Sequence, residues 1–299
     1  MPPDTHKPAA WTGLLLAALG AIGFSGKAII VKLAYRHGVD AVTLLMWRML
    51  LALPLFLALA WWAGRGQPRL TARDWRDILI LGFTGYYLAS FLDFAGLAYI
   101  SASLERLILY LNPTLVLLLS VLFFHHRIQG RQVLALALSY AGVLAVFAHE
   151  LHFDGSRTVV GGALVFGSAV SYAVYLALSG RVVQRLGALR LTGLASTVAC
   201  GFCIAQFVCL RPLASAAVPA PVFWLSVLNA TACTVAPVLM VMLAIARIGA
   251  PLSAQVGMVG PMSTLLMGSV LLDEPMTAWV LLGTALVLGG VFLVGGGRR

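Results

Sequence analysis

Ten apolar stretches, each of about twenty residues, follow one another along this chain, near residues 11–33, 39–63, 77–99, 103–124, 131–148, 158–180, 189–210, 222–246, 251–272 and 276–295. One soluble core cannot hide so many. A hydrocarbon layer roughly 30 Å thick offers the backbone no hydrogen-bond partner, so a segment of this length satisfies its own amides as a helix. Composition points the same way: 61% of the 299 residues are hydrophobic and only 10% charged, with a mean hydropathy of +0.97, well away from the globular average. The expected fold is therefore all-α and integral to a membrane, with ten transmembrane helices. The connections are short and hold most of the Pro, Arg and Asp, which leaves nothing for a soluble domain. The first stretch follows Lys7 and is longer than the apolar region of a signal peptide, so it reads as a retained span after a tail at 1–10.

Polar chemistry of the usual catalytic kinds is sparse. Cys200, Cys203, Cys209 and Cys233 lie inside spans seven and eight with no histidine near them, which suits packing better than a metal or redox pair. His125-His126 and His149-x-x-His152 sit at span ends and read as interfacial residues rather than ligands. No cofactor or metal is called for. An intramembrane enzyme would need a His/Asp/Glu cluster on one face of adjoining spans, and the sequence offers none.

Orientation follows from Lys and Arg. Of the twenty, thirteen fall in tails and loops on the side of the two termini, including Arg65, Arg69, Arg73, Arg76, Arg181, Arg185 and Arg190. The other side holds Lys32, Arg36, Arg157 and Arg211, and Lys27, Arg48 and Arg106 lie within spans. Both termini are expected in the cytoplasm, as an even number of spans requires. The net charge of +10 is mostly this inner collar, so it calls for lipid contact and not for nucleic acid.

The chain also repeats. A shift of 148 residues lays Pro113, Leu117, Leu118, Gly142 and Val143, among others, on identical residues from Pro261 to Val291. Two five-helix copies follow, 11–149 and 157–297. Five is odd, so the copies enter the membrane in opposite directions, and the loops agree: "HHRIQGR" after span four is basic while "LDEPMT" after span nine is acidic. Such inverted repeats place a substrate site near the midplane between the copies and work by their relative rocking.

The stretch "GYYLASFLDFAGLAYISASLERLILYLNPTLVLLLSVLFF" with "HHRIQGRQVLALALSYAGVLAV", and its partner from "LAIARIGAPLSAQ" to "VLGGVFLV", resemble the EamA domain of the drug/metabolite transporter superfamily. The short "YISAS" turn, the mid-helix Pro113 and Pro261, and Glu274 after span nine carry the likeness, which covers essentially the whole chain. His126 stands where the first copy would have its acid. Overall the chain is most similar to YddG-type aromatic amino acid exporters. That resemblance implies a ten-helix inverted repeat around a central cavity, in the inner membrane, exporting small organic solutes.

Read without the family, the spans still present candidate pocket residues. Tyr86 and Ser90 share one face of span three with Asp93, and Tyr110 shares one of span four with Arg106. Phe24, Ser25, Tyr87, Ser171, Tyr172, Thr234, Gln255 and Met258 complete the substrate-binding set at or near mid-span. Aromatic rings and hydroxyls at one depth suit a solute with an apolar body and a polar handle. Each residue alone could equally be an interhelical contact. Pro113 and Pro261 are the expected helix bends.

Charge sits elsewhere. Lys27, Arg48, Asp93, Glu105 and Arg106 all fall in the outer half of the first copy, and Asp93, Glu105 and Arg106 map onto Val241, Ser253 and Ala254 in the second. A lone charge in hydrocarbon costs at least about 2.5–3.5 kcal/mol, so these five are expected to pair, Glu105 with Lys27 or Arg48 and Arg106 with Asp93. They are either a gate or static packing. The functional expectation is an exporter of aromatic or other apolar amino acids and related metabolites. Efflux of flat cationic drugs stands as the alternative, disfavoured by the excess of positive charge. The sequence leaves exact substrate, coupling ion and oligomeric state open.

Overall fold

Hydrocarbon forces helices, and among the described residues every regular element is helical. The computed structural model describes residues 7–124 and 130–295, and the side chains of all of these except 7–10, 120–121, 123–124, 153–154, 250–251, 254–255 and 294–295. The His125-His126 pair therefore lies outside the described residues. The elements are α1 (Lys7–Tyr35), α2 (Ala41–Gly64), α3 (Ala72–Leu81), a π-helical stretch Gly82–Leu88, α4 (Ala89–Leu97), α5 (Ala102–Leu109), α6 (Asn112–Phe124) and α7 (Gly130–Asp154). After them come α8 (Ser156–Leu186), α9 (Ala188–Leu210), a 3-10 turn Leu213–Ala216, α10 (Ala220–Ala230), a second π stretch Thr231–Val235, α11 (Ala236–Gly257), α12 (Val259–Leu272) and α13 (Ala278–Gly295).

Polar residues set the helix starts. Asp40 caps α2 by accepting from the amides of Val42 and Thr43, and Thr71 and Asp74 form a reciprocal capping box at α3. Ser101 caps α5 through Leu104 N. Among the described residues eight helices are long and apolar enough to cross a membrane, and α12 and α13 are shorter apolar helices. The ninth expected span is shortened because it is broken in two.

The breaks come from proline. Pro113 and Pro261 lack the amide that would bond the carbonyl four residues back, and their rings crowd it. The chain accordingly leaves α-helix at Tyr110–Leu111 and again at Met258, positions 148 residues apart. The two π stretches, 82–88 and 231–235, overlap under the same shift. So do the turns at Ser101 and Gly249, where Gly249 adopts φ 79°, a conformation that side chains with a β-carbon resist.

Packing follows the same pairing. α2 lies along α9 and α7 along α13, two contacts that the 148-residue shift maps onto themselves. α1 packs on α11 and α12, and its counterpart α8 packs on α4, α5, α6 and the first π stretch. The face carrying the 36–40, 98–101 and 273–277 turns is called distal below, because α1 begins and α13 ends at the other.

Candidate transport pathway

Polar groups line up in three layers from the distal face inward. The first is a cavity of about 910 Å³ with Lys32, Tyr35, Arg36, Tyr99, Ser101, Ser103, His149, Glu150 and Glu274 in its wall. Its floor is the amino end of α5. Glu274 accepts from Ala102 N at 2.7 Å, Ser103 N at 3.2 Å and Ser103 Oγ at 2.8 Å. Glu150 accepts from the amide and hydroxyl of Ser101. Two carboxylates, one from α7 and one from the turn after α12, thus satisfy amides that a helix start leaves unpaired, where the helix dipole favours negative charge. Glu274, singled out in sequence by resemblance alone, is a clamp on α5.

The second layer lies about one turn deeper along α5. Lys27 Nζ stands 2.5 Å from Asp93 Oδ2 and 3.5 Å from Glu105 Oε1. Glu105 is 0% and Asp93 1% exposed. The expected Arg106–Asp93 pair is absent, which corrects the sequence reading. α1 packs against α4, α5 and α12 together, so Lys27 reaches both acids and takes Asp93. Arg106 turns instead to Thr264 Oγ1, 3.1 Å from its Nε, and to the Phe24 carbonyl, 2.8 Å from Nη2. Its Nε still comes within 4.0 Å of Glu105 Oε2, because a long side chain can bend back although adjacent positions point apart. Arg48 is separate: it donates to Thr234 Oγ1 at 2.9 Å and sits 5.2 Å over the Phe94 ring.

The third layer holds most of the expected pocket. Many of its hydroxyls are already engaged with main chain. Tyr110 donates to Gly257 O at 2.9 Å, the carbonyl that Pro261 leaves without its helical amide. Ser25 donates to Gly260 O at 2.8 Å, Ser171 to Thr84 O at 2.7 Å inside the first π stretch, and Thr234 to Asn229 O at 2.7 Å across the second. These bonds fall in or beside the Met258 break and the two π stretches. Tyr86, Tyr172 and Tyr175 form an aromatic group, with ring centroids 5.2 Å and 5.4 Å from Tyr175 and the Tyr86 and Tyr175 hydroxyls 3.2 Å apart. A β-carbon at Gly85 would collide with the Tyr175 ring, so glycine there admits the close packing. Tyr87 meets Phe83 and Phe202 in tilted ring contacts, and Ser90, Phe24 and Met258 are half-buried. The side chain of Gln255 lies outside the described residues.

Pro113 is exposed and Pro261 buried. Tyr175 and Thr264 were not among the sequence candidates. A signal existed for Tyr175, since the 148-residue shift places it on Lys27.

Membrane-length apolar helices with a polar file running inward from one face define a multi-pass membrane protein of the transporter class. Residues 11–148 and 159–296 each match the EamA-like transporter family, and the chain belongs to that family. It is 28% identical over 298 residues to the uncharacterized transporter YcbK of Bacillus subtilis, covering 95% of this chain and 92% of that one. The uncharacterized transporter YetK of the same organism is 22% identical over 284 residues, covering 94% and 86%. A solved crystal structure superposes with a TM-score of 0.63 over 99% of this chain and 100% of its own, at 18% identity, a likeness of fold.

Proposed function

We propose that this chain exports small organic solutes with an aromatic or apolar body and a polar handle, aromatic amino acids foremost, by alternating access between two inverted five-helix copies. The observation that carries the reading is the doubled geometry: proline breaks at Tyr110–Leu111 and Met258 and π stretches at 82–88 and 231–235, each pair related by one shift of 148 residues. Five crossings per copy make that shift an inversion, and inverted halves with broken helices at mid-membrane are how many secondary transporters bind and rock. The partners required are the solute and the surrounding lipid. The proposed site is the third layer, with Tyr86, Tyr110 and Tyr172 as its walls and Phe24, Ser25, Tyr87, Ser90, Ser171, Thr234, Gln255 and Met258 as the further substrate-binding candidates.

In this reading the distal face is outer, the termini are cytoplasmic in the inner membrane, and the cluster of Lys27, Asp93, Glu105 and Arg106 is the outer gate, with Arg48 beside it. The burial of Asp93 and Glu105 beside Lys27 supports reading this arrangement as the closed one. Efflux of flat cations is favoured by one feature, the buried acids below the vestibule.

Uptake of radiolabelled amino acids and of a flat aromatic cation into proteoliposomes tests the substrate, with L-phenylalanine expected to compete best. Movement of the cation alone would overturn the amino acid reading. Reporter fusions at residues 70 and 299 should read cytoplasmic and at 153 external, and a cytoplasmic signal at 153 would end the inverted arrangement.

A further inference from the structure

The two acids of the second layer share one ammonium. Lys27 Nζ is 2.5 Å from Asp93 Oδ2 and 3.5 Å from Glu105 Oε1, which caps the separation of those oxygens at the sum, 6.0 Å. A hydrogen bond between the two carboxyl groups would relieve their crowding around one ammonium. Two ionised carboxylates cannot make one, because each only accepts. Asp93 Oδ1 and both oxygens of Glu105 have no hydrogen-bond partner, and all three are buried.

The surrounding cations do not close this gap. Arg106 has given its hydrogen bonds to Thr264 and the Phe24 carbonyl and meets Glu105 only at 4.0 Å. Arg48 faces Thr234 and the Phe94 ring from α2. From α12 the group presented is the Thr264 hydroxyl, and from the second π stretch the Cys233 thiol, beside Gly26. Tyr35 of α1 donates to the Phe94 carbonyl. An ionised carboxylate buried with no donor is among the costliest arrangements a protein can hold, and two that crowd one another are costlier.

We propose that Asp93 and Glu105 are a proton-binding site, in which one proton is held between the two carboxyl groups with Lys27 as the counter-charge. The proton turns a contact between like charges into an O–H···O hydrogen bond, supplies a donor where there were only acceptors, and leaves one carboxylate for the Lys27 ammonium. A proton leaving the pair when the distal mouth opens passes to vestibule water as hydronium and leaves two carboxylates behind. Their repulsion favours a wet, open mouth, whereas the protonated pair favours the closed one. Proton binding thereby accompanies closure of the distal side, and transport becomes coupled to the proton gradient. The coupling clause rests on the transport reading above; the proton site does not.

The direct test is infrared spectroscopy of the purified full-length protein in lipid, because a buried carboxylic acid has a carbonyl stretch that a carboxylate lacks. Wild type at neutral pH is expected to show such a band, removed by alkaline titration and lost in both Glu105→Gln and Asp93→Asn but retained in Glu150→Gln. Absence of the band from wild type, or its survival in both cluster variants, overturns the site. Should the cluster variants fail to fold, the Glu150→Gln protein decides: a titrating band there supports the site and no band overturns it. Radiolabelled L-phenylalanine flux in wild-type proteoliposomes, with and without a pH gradient, separates the two claims. Equal flux in both conditions overturns coupling, whereas a titrating band with no phenylalanine flux supports the site and counts against the substrate reading.

Discussion

The two copies share their bends but not their charges. Copy one gathers Lys27, Asp93, Glu105 and Arg106 near the distal face; the shift of 148 residues replaces them with Tyr175, Val241, Ser253 and Ala254. Where Lys27 joins two acids, Tyr175 joins Tyr86 and Tyr172 by ring contacts and a hydroxyl. In the proposed reading one end of the pathway is closed by ions and the other by aromatic rings. Duplicate architecture fixes where a gate can lie, and side chains fix what opens it. Buried charge responds to protons and charged solutes, whereas stacked rings respond to shape and apolar bulk.

The sharpest way to break this contrast is to remove its two equivalent residues. Lys27→Met leaves crowded acids without their ammonium, and loss of one partner from a buried pair costs about 3–5 kcal/mol. Tyr175→Phe removes one hydroxyl contact and should cost about 1 kcal/mol or less. Thermal unfolding of the two purified variants compares them, and equal losses would erase the difference between the copies.

A second test asks whether the shared bends are tied to each other. Tyr110→Phe leaves the Gly257 carbonyl unpaired, at about 1–2 kcal/mol. Pro261→Ala restores the amide that Gly257 lacks, so in that background the same change should cost close to nothing. A double-mutant cycle in unfolding free energy reads the coupling, and additive effects would show that Tyr110 does not serve the break.

Exposed charge gives the smallest effect. Asp40 sits at the distal surface, where partial burial raises its pKa but hydrogen bonds from Thr43 and the nearby Arg211 outweigh it, and the carboxyl stays below its ordinary range. A depressed acid contributes stability that is present above its unfolded pKa and is lost as pH falls through the lowered folded value. Asp40→Asn keeps the cap and loses the Arg211 pair, so the expected change at neutral pH is below about 1 kcal/mol and disappears in acid. A larger loss would mean that surface and buried charge differ less here than the burial of Glu105 implies.

Much of this was legible in sequence because lipid permits few solutions. Apolar length marked the spans, the paired prolines marked the breaks, and equal depth brought Lys27 to Glu105. Arg106 was misread, since depth says nothing about which helix passes between two groups; α1 does, and Lys27 takes Asp93. The engagement of Tyr110, Ser25, Ser171 and Thr234 with carbonyls was illegible for another reason. Those carbonyls lie in or beside the π turns and the Met258 break, and periodicity does not say which side chain reaches them. Glu150 was not among the sequence candidates, because its clamp on Ser101 exists only once α5 is a separate half-helix.

The central claim is that the ionic cluster closes the distal mouth of an alternating-access carrier. Spin labels at His37 and Met276 span that mouth, and labels at Gln67 and Gln184 span the opposite one, all four positions being exposed. Pulsed electron–electron distance measurements on cysteine-substituted protein in lipid, at neutral and alkaline pH and with L-phenylalanine, should resolve two populations at each pair. The account predicts that alkaline pH widens the distal distance while narrowing the other. A single unchanged distance at the distal pair under all of these conditions would contradict it.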